Sequence, residues 1–238
     1  MTDAELARDI ATEAGALLLA IQRDCAGGDR GDREANSLIL ERLRAARPDD
    51  AILSEESADD LARLDQRRVW IVDPLDGTRE FAERRDDWAV HVALAVDGAA
   101  AVGAVSLPRL GVTLSSDAPS PLPPAHRPPR MLVSRSRASA LCIDVAGRIG
   151  AEQIGMGSAG AKAMAVVRGE AEIYLHSGGQ HQWDNCAPVA VALAAGLHAS
   201  RIDGSAIVYN RAETSIPDLL ICRAEWAEIV LSTVSNCS

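Results

Sequence analysis

Apolar residues at the start of the chain recur with a helical period. Leu6, Ile10, Leu17, Leu18 and Ile21 share one face of a helix predicted over residues 2–21. Thr2 and Glu5 have the spacing of a capping box, in which each side chain satisfies the other residue's backbone N–H. Residues 23–33 then hold three glycines and several charges with no apolar period, which predicts a loop able to move. Helical spacing resumes over 35–47, and Pro48 ends it.

Beyond Pro48 the pattern changes to short apolar runs. Those at 51–53 and 69–72 are closed by Ser54-Glu55-Glu56 and by Asp73-Pro74-Leu75-Asp76-Gly77-Thr78, so they read as buried strands delivering carboxylates at their carboxyl ends. Pro74 is expected to stop the second strand. Residues 89–96 and 101–107 read as a strand pair around Asp97-Gly98. Proline then concentrates between Pro119 and Pro129, where neither helix nor central strand can form. That stretch is expected to join an N-terminal α+β lobe (1–118) to a C-terminal α/β lobe (130–238). In the second lobe, predicted helices at 138–149, 160–168, 185–195 and 225–234 alternate with strands near Met131, Ile154, Ile173, Leu197 and Leu219. The resulting fold class is a layered combination of α+β and α/β.

Composition narrows the functional classes. Hydrophobic residues make up 47% and charged residues 24%, enough to bury a core and to exclude wholesale disorder. The net charge of −10 repels a phosphate backbone, and four Trp, two Tyr and one Phe make a poor stacking platform. A nucleic-acid polymer is therefore not the expected partner. No segment reaches the ~20 apolar residues of a membrane span, and Asp3 and Glu5 give the wrong charge order for a secretory signal. Cys25, Cys142, Cys186, Cys222 and Cys237 are odd in number and widely spaced, which fits reduced thiols in a cytoplasmic protein.

The chemistry is densest around Asp73 and Asp76. Two carboxylates with the Leu75 carbonyl between them are hard oxygen ligands, suited to Mg²⁺ and not to zinc. If a helix starts at Thr78, the N–H groups of Gly77 and Thr78 face outward where a phosphate would be favoured. An Asp-Pro and Asp-Gly turn with a helix cap would leave the same sequence trace. Glu55 and Glu56 end another strand and can join the pair, or form a solvated turn. Trp183-Asp184 opens a later helix, as a ligand or as a cap beside a core Trp. Lys162 can reach a second phosphate or lie solvated on its helix. The histidines show no paired spacing and read as core or surface residues, although His181, near Asp184, could touch substrate.

In order and spacing, Leu53-Ser54-Glu55-Glu56, the Asp73–Thr78 turn, Gly157-Ser158-Ala159-Gly160 and Trp183-Asp184 resemble the inositol monophosphatase superfamily of Mg²⁺-dependent, lithium-sensitive phosphatases. Gly31-Asp32-Arg33, Asp76 to Phe81, Arg85 to His91, Gly157 to Met164 and Ser200 to Ser205 are similar to its CysQ-type actinobacterial branch, which acts on 3'-phosphoadenosine 5'-phosphate.

That resemblance implies an αβαβα sandwich holding two or three Mg²⁺ ions. Glu55, Asp73 and the Leu75 carbonyl would hold one ion, and Asp73, Asp76 and Asp184 a second. Asp32, in the mobile loop, would meet Glu55 at a third and pair with Thr78 to orient the attacking water. Glu56 has no ligand role in this reading. Asp76, Gly77 and Thr78 would receive the phosphate, and Gly157, Ser158, Lys162 and His181 the rest of the substrate. The segment 177–182 would wall the same pocket; it lacks an acidic residue found in some inositol phosphatases.

The implied substrate is a small phosphorylated nucleotide or sugar, and the implied reaction is removal of the 3'-phosphate from 3'-phosphoadenosine 5'-phosphate. Inositol monophosphate or fructose 1,6-bisphosphate at the same site is the nearest rival. A non-catalytic metal- or nucleotide-binding regulator is the rival from another class. A homodimer is compatible with all three.

Overall fold

Helix α1 (Asp3–Arg23) starts on the expected capping box: Thr2 accepts from the Glu5 N–H at 3.2 Å, and Glu5 accepts from the Thr2 N–H at 2.7 Å. The computed structural model describes residues 1–24, 27–136 and 138–237. Helix α2 runs from Gly28 to Ala46 and begins seven residues before the period suggested. Most of the segment expected to be a mobile loop is therefore helical, and Asp32 sits on α2; Cys25 and Ala26 lie outside the described residues. Two of the glycines, Gly28 and Gly31, are there for close packing. A Cβ on Gly28 would stand 2.4 Å from the Thr78 methyl, and one on Gly31 would stand 3.0 Å from Leu18.

The first sheet holds β1 (Ala51–Ser54), β2 (Arg68–Asp76), β3 (Ala89–Val96), β4 (Ala99–Leu107) and β5 (Val112–Ser115), in that order. β1 and β2 are parallel and the other neighbours antiparallel. β5 has no counterpart in the sequence prediction. β2 also corrects an expectation, because it continues past Pro74 to Asp76. It does so through an irregularity: register with β3 shifts between Asp73 and Asp76, so the missing Pro74 N–H falls where no ladder bond is made. The short helix α3 (Thr78–Ala82) follows.

The second sheet has the order β7-β6-β8-β10-β9, from β6 (Arg130–Ser134), β7 (Glu152–Met156), β8 (Ile173–His181), β9 (His198–Ser200) and β10 (Ser215–Cys222). Its helices are α4 (Ala140–Ile149), α5 (Ala159–Val167), α6 (Gln182–Ala194) and α7 (Ala224–Ser235). Residues 177–181, expected as part of a loop, are the end of β8.

Alternation along β2 shows how the layers form. Trp70 and Val72 face α1 and α2, while Val69 and Ile71 face α5 and α6. Successive side chains leave opposite faces of a strand, so a strand covered on both sides must be apolar throughout. Each such side chain contributes about 1.5–3 kcal/mol of burial. Helices α5 and α6 lie between the two sheets, and α6 approaches so closely that a Cβ on Gly103 of β4 would meet the Ala187 carbonyl at 2.5 Å. Helices α4 and α7 cover the far face of the second sheet. The result is the αβαβα sandwich.

Residues 119–129 contain no helix or strand and connect the first sheet to the second over a mostly exposed path. The buried Glu172 carboxylate anchors their far end by accepting from the backbone N–H groups of His126 at 2.8 Å and Arg130 at 2.7 Å. Among the described residues no helix is long and apolar enough to cross a membrane.

Candidate active site and metal centre

The break in β2 builds the site. Asp73 stays in register opposite His91, and its Oδ1 accepts from the Leu75 N–H at 3.1 Å, which curls the chain. Gly77 then takes φ +95°, a conformation that side chains resist, and turns the backbone into α3. Thr78 Oγ1 donates to the Leu75 carbonyl at 3.3 Å. α3 has only five residues, so any attraction for an anion comes from individual N–H groups and not from a long macrodipole.

Carboxylates from three parts of the chain converge here. Ligand oxygens of Asp73, Asp76 and Asp184 lie within 4.8 Å of one another, and Glu55 hydrogen-bonds Asp73. Burial, then the neighbouring charges of Glu55, Asp76 and Asp184, push Asp73 well above the usual carboxylate range. Burial and Asp76 push Asp184 up to about 7. Glu55, at the solvent edge, is raised to about 6, first by desolvation and then by Asp76, Glu56 and Asp32 against the lowering bond to Asp73. Unit charges ~4 Å apart repel by about 4 kcal/mol at an intermediate effective dielectric. A buried, oxygen-only donor set under such mutual repulsion fits divalent cations of the hard type.

Asp76 is different. Burial works against its charge, but His91, Ser158 and the Gly160 N–H outweigh it and hold the group down at about 2. Its Oδ2 accepts from Ser158 Oγ and from Gly160 N at 2.6 Å, and its Oδ1 from Ala159 N at 3.2 Å, so it caps the start of α5. Ser158 adopts φ +41°, uncommon for a residue with a side chain, and its Oγ in turn accepts from Ala161 N at 3.0 Å.

Asp184 is the third residue of α6, with its Oδ2 accepting from the His181 N–H at 2.5 Å. It points back over the helix start, as capping-box geometry requires.

A cavity of about 570 Å³ opens beside this cluster. Its wall includes Asp76, Gly77, Thr78, Gly157, Ser158, Lys162 and Asp184, all singled out in the sequence, together with Glu80, Arg135, Tyr174 and Gln180. Lys162 is buried, not solvated. Its ammonium donates to the Gly157 and Ser158 carbonyls at 2.9 and 2.6 Å, lies 5.3 Å from the centre of the Tyr174 ring, and is lowered by burial to about 8. His181 stands outside the cavity lining: its ring stacks on Trp183 at 4.8 Å and its Nδ1 lies 3.2 Å from Thr214 Oγ1.

Asp32 lies buried on the first turns of α2, raised to about 7 by desolvation and then by the charges of Glu56 and Asp29. The Thr78 hydroxyl, expected to share the orienting of a water with Asp32, donates to the Leu75 carbonyl. One turn further, Asn36 ties α2 to the acidic strand end: its Oδ1 accepts from Ser54 Oγ at 2.7 Å, and its Nδ2 donates to Ser57 Oγ at 3.1 Å.

Sequence reasoning missed Asn36, and it missed His91, which reads as one more core histidine. His91 is fully buried, with Nε2 3.2 Å from Asp76 Oδ2 and Nδ1 3.0 Å from the Trp183 carbonyl oxygen. Burial alone would lower it, but Asp76 and the Trp183 carbonyl raise it above the usual histidine range. A signal was available. β3 is covered on both faces and otherwise apolar, so a polar side chain within it needs a buried partner.

A layered αβαβα sandwich with an acidic, metal-fitting cluster at the broken end of a strand defines the class of the protein. The sequence matches the model of the Inositol monophosphatase family over residues 29–118 and 130–237, and the chain belongs to that family. The 3'-phosphoadenosine 5'-phosphate phosphatase of Mycobacterium leprae (strain TN) is 48% identical over 254 aligned positions, covering 98% of this chain and 94% of the relative. The 3'(2'),5'-bisphosphate nucleotidase CysQ of Escherichia coli (strain K12) is 32% identical over 195 positions, 77% of this chain and 79% of that one. The crystal structure of CysQ from Bacteroides thetaiotaomicron, a bacterial member of the same family, matches with a TM-score of 0.78 at 25% identity, over 93% of this chain and 97% of that one.

Proposed function

We propose that this chain is a Mg²⁺-dependent phosphomonoesterase that removes the 3'-phosphate from 3'-phosphoadenosine 5'-phosphate. The observation that supports this most is the gathering of Glu55, Asp73, Asp76 and Asp184 beside a cavity of about 570 Å³, within the usual range of ~300–1,000 Å³ for small-molecule sites. The relative from Mycobacterium leprae, similar over nearly the whole chain, carries that activity in its name.

Hydrolysis of a phosphate monoester needs an aligned water and neutralisation of charge on the phosphoryl oxygens. Glu55, Asp73 and the Leu75 carbonyl would hold one divalent cation, Asp73, Asp76 and Asp184 a second, and Asp32 with Glu55 a third. When bound, these ions supply charge neutralisation and a more acidic water. The chain's own groups do the rest. The N–H groups of Gly77 and Thr78 receive phosphoryl oxygens, and Asp32 and Glu55 stand ready to accept the water's proton. The Thr78 hydroxyl, on the neighbouring turn, orients that water once it leaves the Leu75 carbonyl. Gly157 and Ser158 face the sugar.

We place the enzyme in the cytoplasm, where its free Cys142, Cys186, Cys222 and Cys237 stay reduced.

Phosphate release from 3'-phosphoadenosine 5'-phosphate, inositol monophosphate and fructose 1,6-bisphosphate at equal Mg²⁺ tests the reading. The expected result is the highest kcat/KM for the nucleotide and no turnover in excess EDTA. A higher kcat/KM for either sugar phosphate would overturn the substrate assignment. Full turnover in EDTA would overturn the metal assignment, and no release from any of the three would return the chain to the class of non-catalytic binders.

A further inference from the structure

The substrate proposed above carries two phosphates, and the metal centre accounts for one. We infer that Arg135 binds the remote phosphate and so selects nucleoside bisphosphates over monophosphates. This rests on the phosphatase reading and deepens it.

Among the described residues lining the cavity, Arg79, Arg135 and Lys162 carry the permanent or near-permanent positive charges. Lys162 was the sequence's candidate for the second phosphate, but its ammonium is held by the carbonyls of Gly157 and Ser158 and its side chain is buried. Releasing it would strip the Gly157 carbonyl of its donor and the Ser158 carbonyl of one of its two. Arg79 is 72% exposed and pairs with Glu83 one turn along α3, pointing its charge into solvent, where screening weakens it.

Arg135 is built differently. It follows β6 directly, and its N–H donates to the Met156 carbonyl at 3.1 Å, which fixes its backbone beside the Gly157-Ser158 turn. Its guanidinium meets Asp87, and it lies 3.6 Å from Glu80. Asp87 also accepts from the Gly157 N–H at 2.7 Å and from Arg85 Nε at 3.2 Å, so the carboxylate that orients Arg135 is itself anchored to the cavity wall. The side chain remains 35% exposed and lines the cavity, where a ligand can reach it.

An arginine fork held by neighbouring carboxylates is oriented before substrate arrives, and bidentate N–H donors match phosphate oxygens. Gly157 keeps the arrangement compact, since a Cβ there would fall 2.4 Å from Glu80.

The test compares kcat/KM for 3'-phosphoadenosine 5'-phosphate with kcat/KM for adenosine 3'-monophosphate, in wild type, Arg135→Gln and Arg135→Lys. Both rates are taken on one preparation, so the folded fraction cancels in the ratio. The expected ratio falls about ten- to hundredfold in Arg135→Gln, the range for a lost charge-assisted hydrogen bond, and by less in Arg135→Lys. Calorimetry with adenosine 5'-monophosphate should show its affinity falling by a similar factor. An unchanged ratio, or unchanged affinity for adenosine 5'-monophosphate, overturns the inference and leaves the phosphatase reading standing. Wild-type protein that releases no phosphate from the bisphosphate removes both.

Discussion

His91 joins two helices' worth of site chemistry: its Nε2 stands 3.2 Å from Asp76 Oδ2, and its Nδ1 3.0 Å from the carbonyl oxygen of Trp183, the residue before Asp184. Asp76 ends β2 and caps α5 while Asp184 sits in the first turn of α6, so one buried ring sets the spacing of two proposed metal ligands, one from a strand and one from a helix. Residues that orient metal ligands typically change metal affinity or activity by about 10–100-fold when replaced. His91→Phe keeps the ring and loses both nitrogens. Its Mg²⁺ or Mn²⁺ affinity, read by calorimetric titration, should fall within that range; wild-type affinity would show that His91 only fills space.

Gly160 tests the same contact from the other side. A Cβ there would stand 2.0 Å from His91 Nε2, and the ring is pinned by Asp76 and Trp183, so it cannot step aside. Overpacking of this kind costs about 1–3 kcal/mol. In Gly147, within α4, nothing lies within 4 Å of the added carbon, and Gly→Ala in an open helix position stabilises by about 0.5–1 kcal/mol. Denaturant melts should therefore move in opposite directions for Gly160→Ala and Gly147→Ala. A Gly160→Ala variant as stable as wild type would mean the α5 start is looser than it looks.

These two sites show what the sequence made legible. Acidic residues at the ends of apolar runs located Glu55, Asp73 and Asp76, because a buried strand must shed polar groups at its end, whereas Asp184 was legible only as the opening of a helix and through the family resemblance. The start of α2 was not legible, since Gly27, Gly28 and Gly31 signal flexibility locally while Gly28 and Gly31 serve close approach to Thr78 and Leu18. The continuation of β2 was hidden by Pro74, which is compatible with a strand only where register breaks. His91 stands out only as a polar residue in an apolar strand, and Asn36 has no local signal; their partners lie as far along the chain as Trp183 and Ser54, and folding alone brings them together.

Asp73 offers a prediction about stability against function. Burial and the charges of Glu55, Asp76 and Asp184 raise its pKa well above 3.8, so the folded protein without metal binds a proton there that the unfolded chain gives up. For such a group stability falls as pH rises above that value toward the folded pKa. Asp73→Asn removes the repulsion and can still accept from the Leu75 N–H. Thermal melts in EDTA should place the variant above wild type, by about 2–4 °C for each kcal/mol relieved in a protein of this size, with the gap widening from pH 5 to pH 8. Added Mg²⁺ should raise Tm in wild type alone. A variant that still gains Tm with Mg²⁺ would place the metal elsewhere.

Far from the cavity, Asp50 makes an acid-sensitive anchor of the opposite sign. Its Oδ1 accepts from Arg68 Nε at 2.7 Å, and its Oδ2 from Arg68 Nη2 at 2.8 Å and from the indole N–H of buried Trp70 at 2.9 Å. Burial works to raise the carboxyl, but the bonds from Arg68 and Trp70 outweigh it and hold the pKa below 3.8. A depressed folded pKa means the stabilisation is present above the unfolded value and disappears as pH falls through the folded one. Asp50→Asn keeps the size and loses the charge, leaving Arg68 with Asp3, whose Oδ2 is 3.0 Å away. The variant should be less stable by about 1–3 kcal/mol at pH 7, the range for hydrogen bonds to a charged group. Urea melts at descending pH should bring the two proteins together below the ordinary carboxylate range. A gap that stays constant from pH 7 to pH 3 would mean the Asp50 charge contributes nothing and only its shape matters.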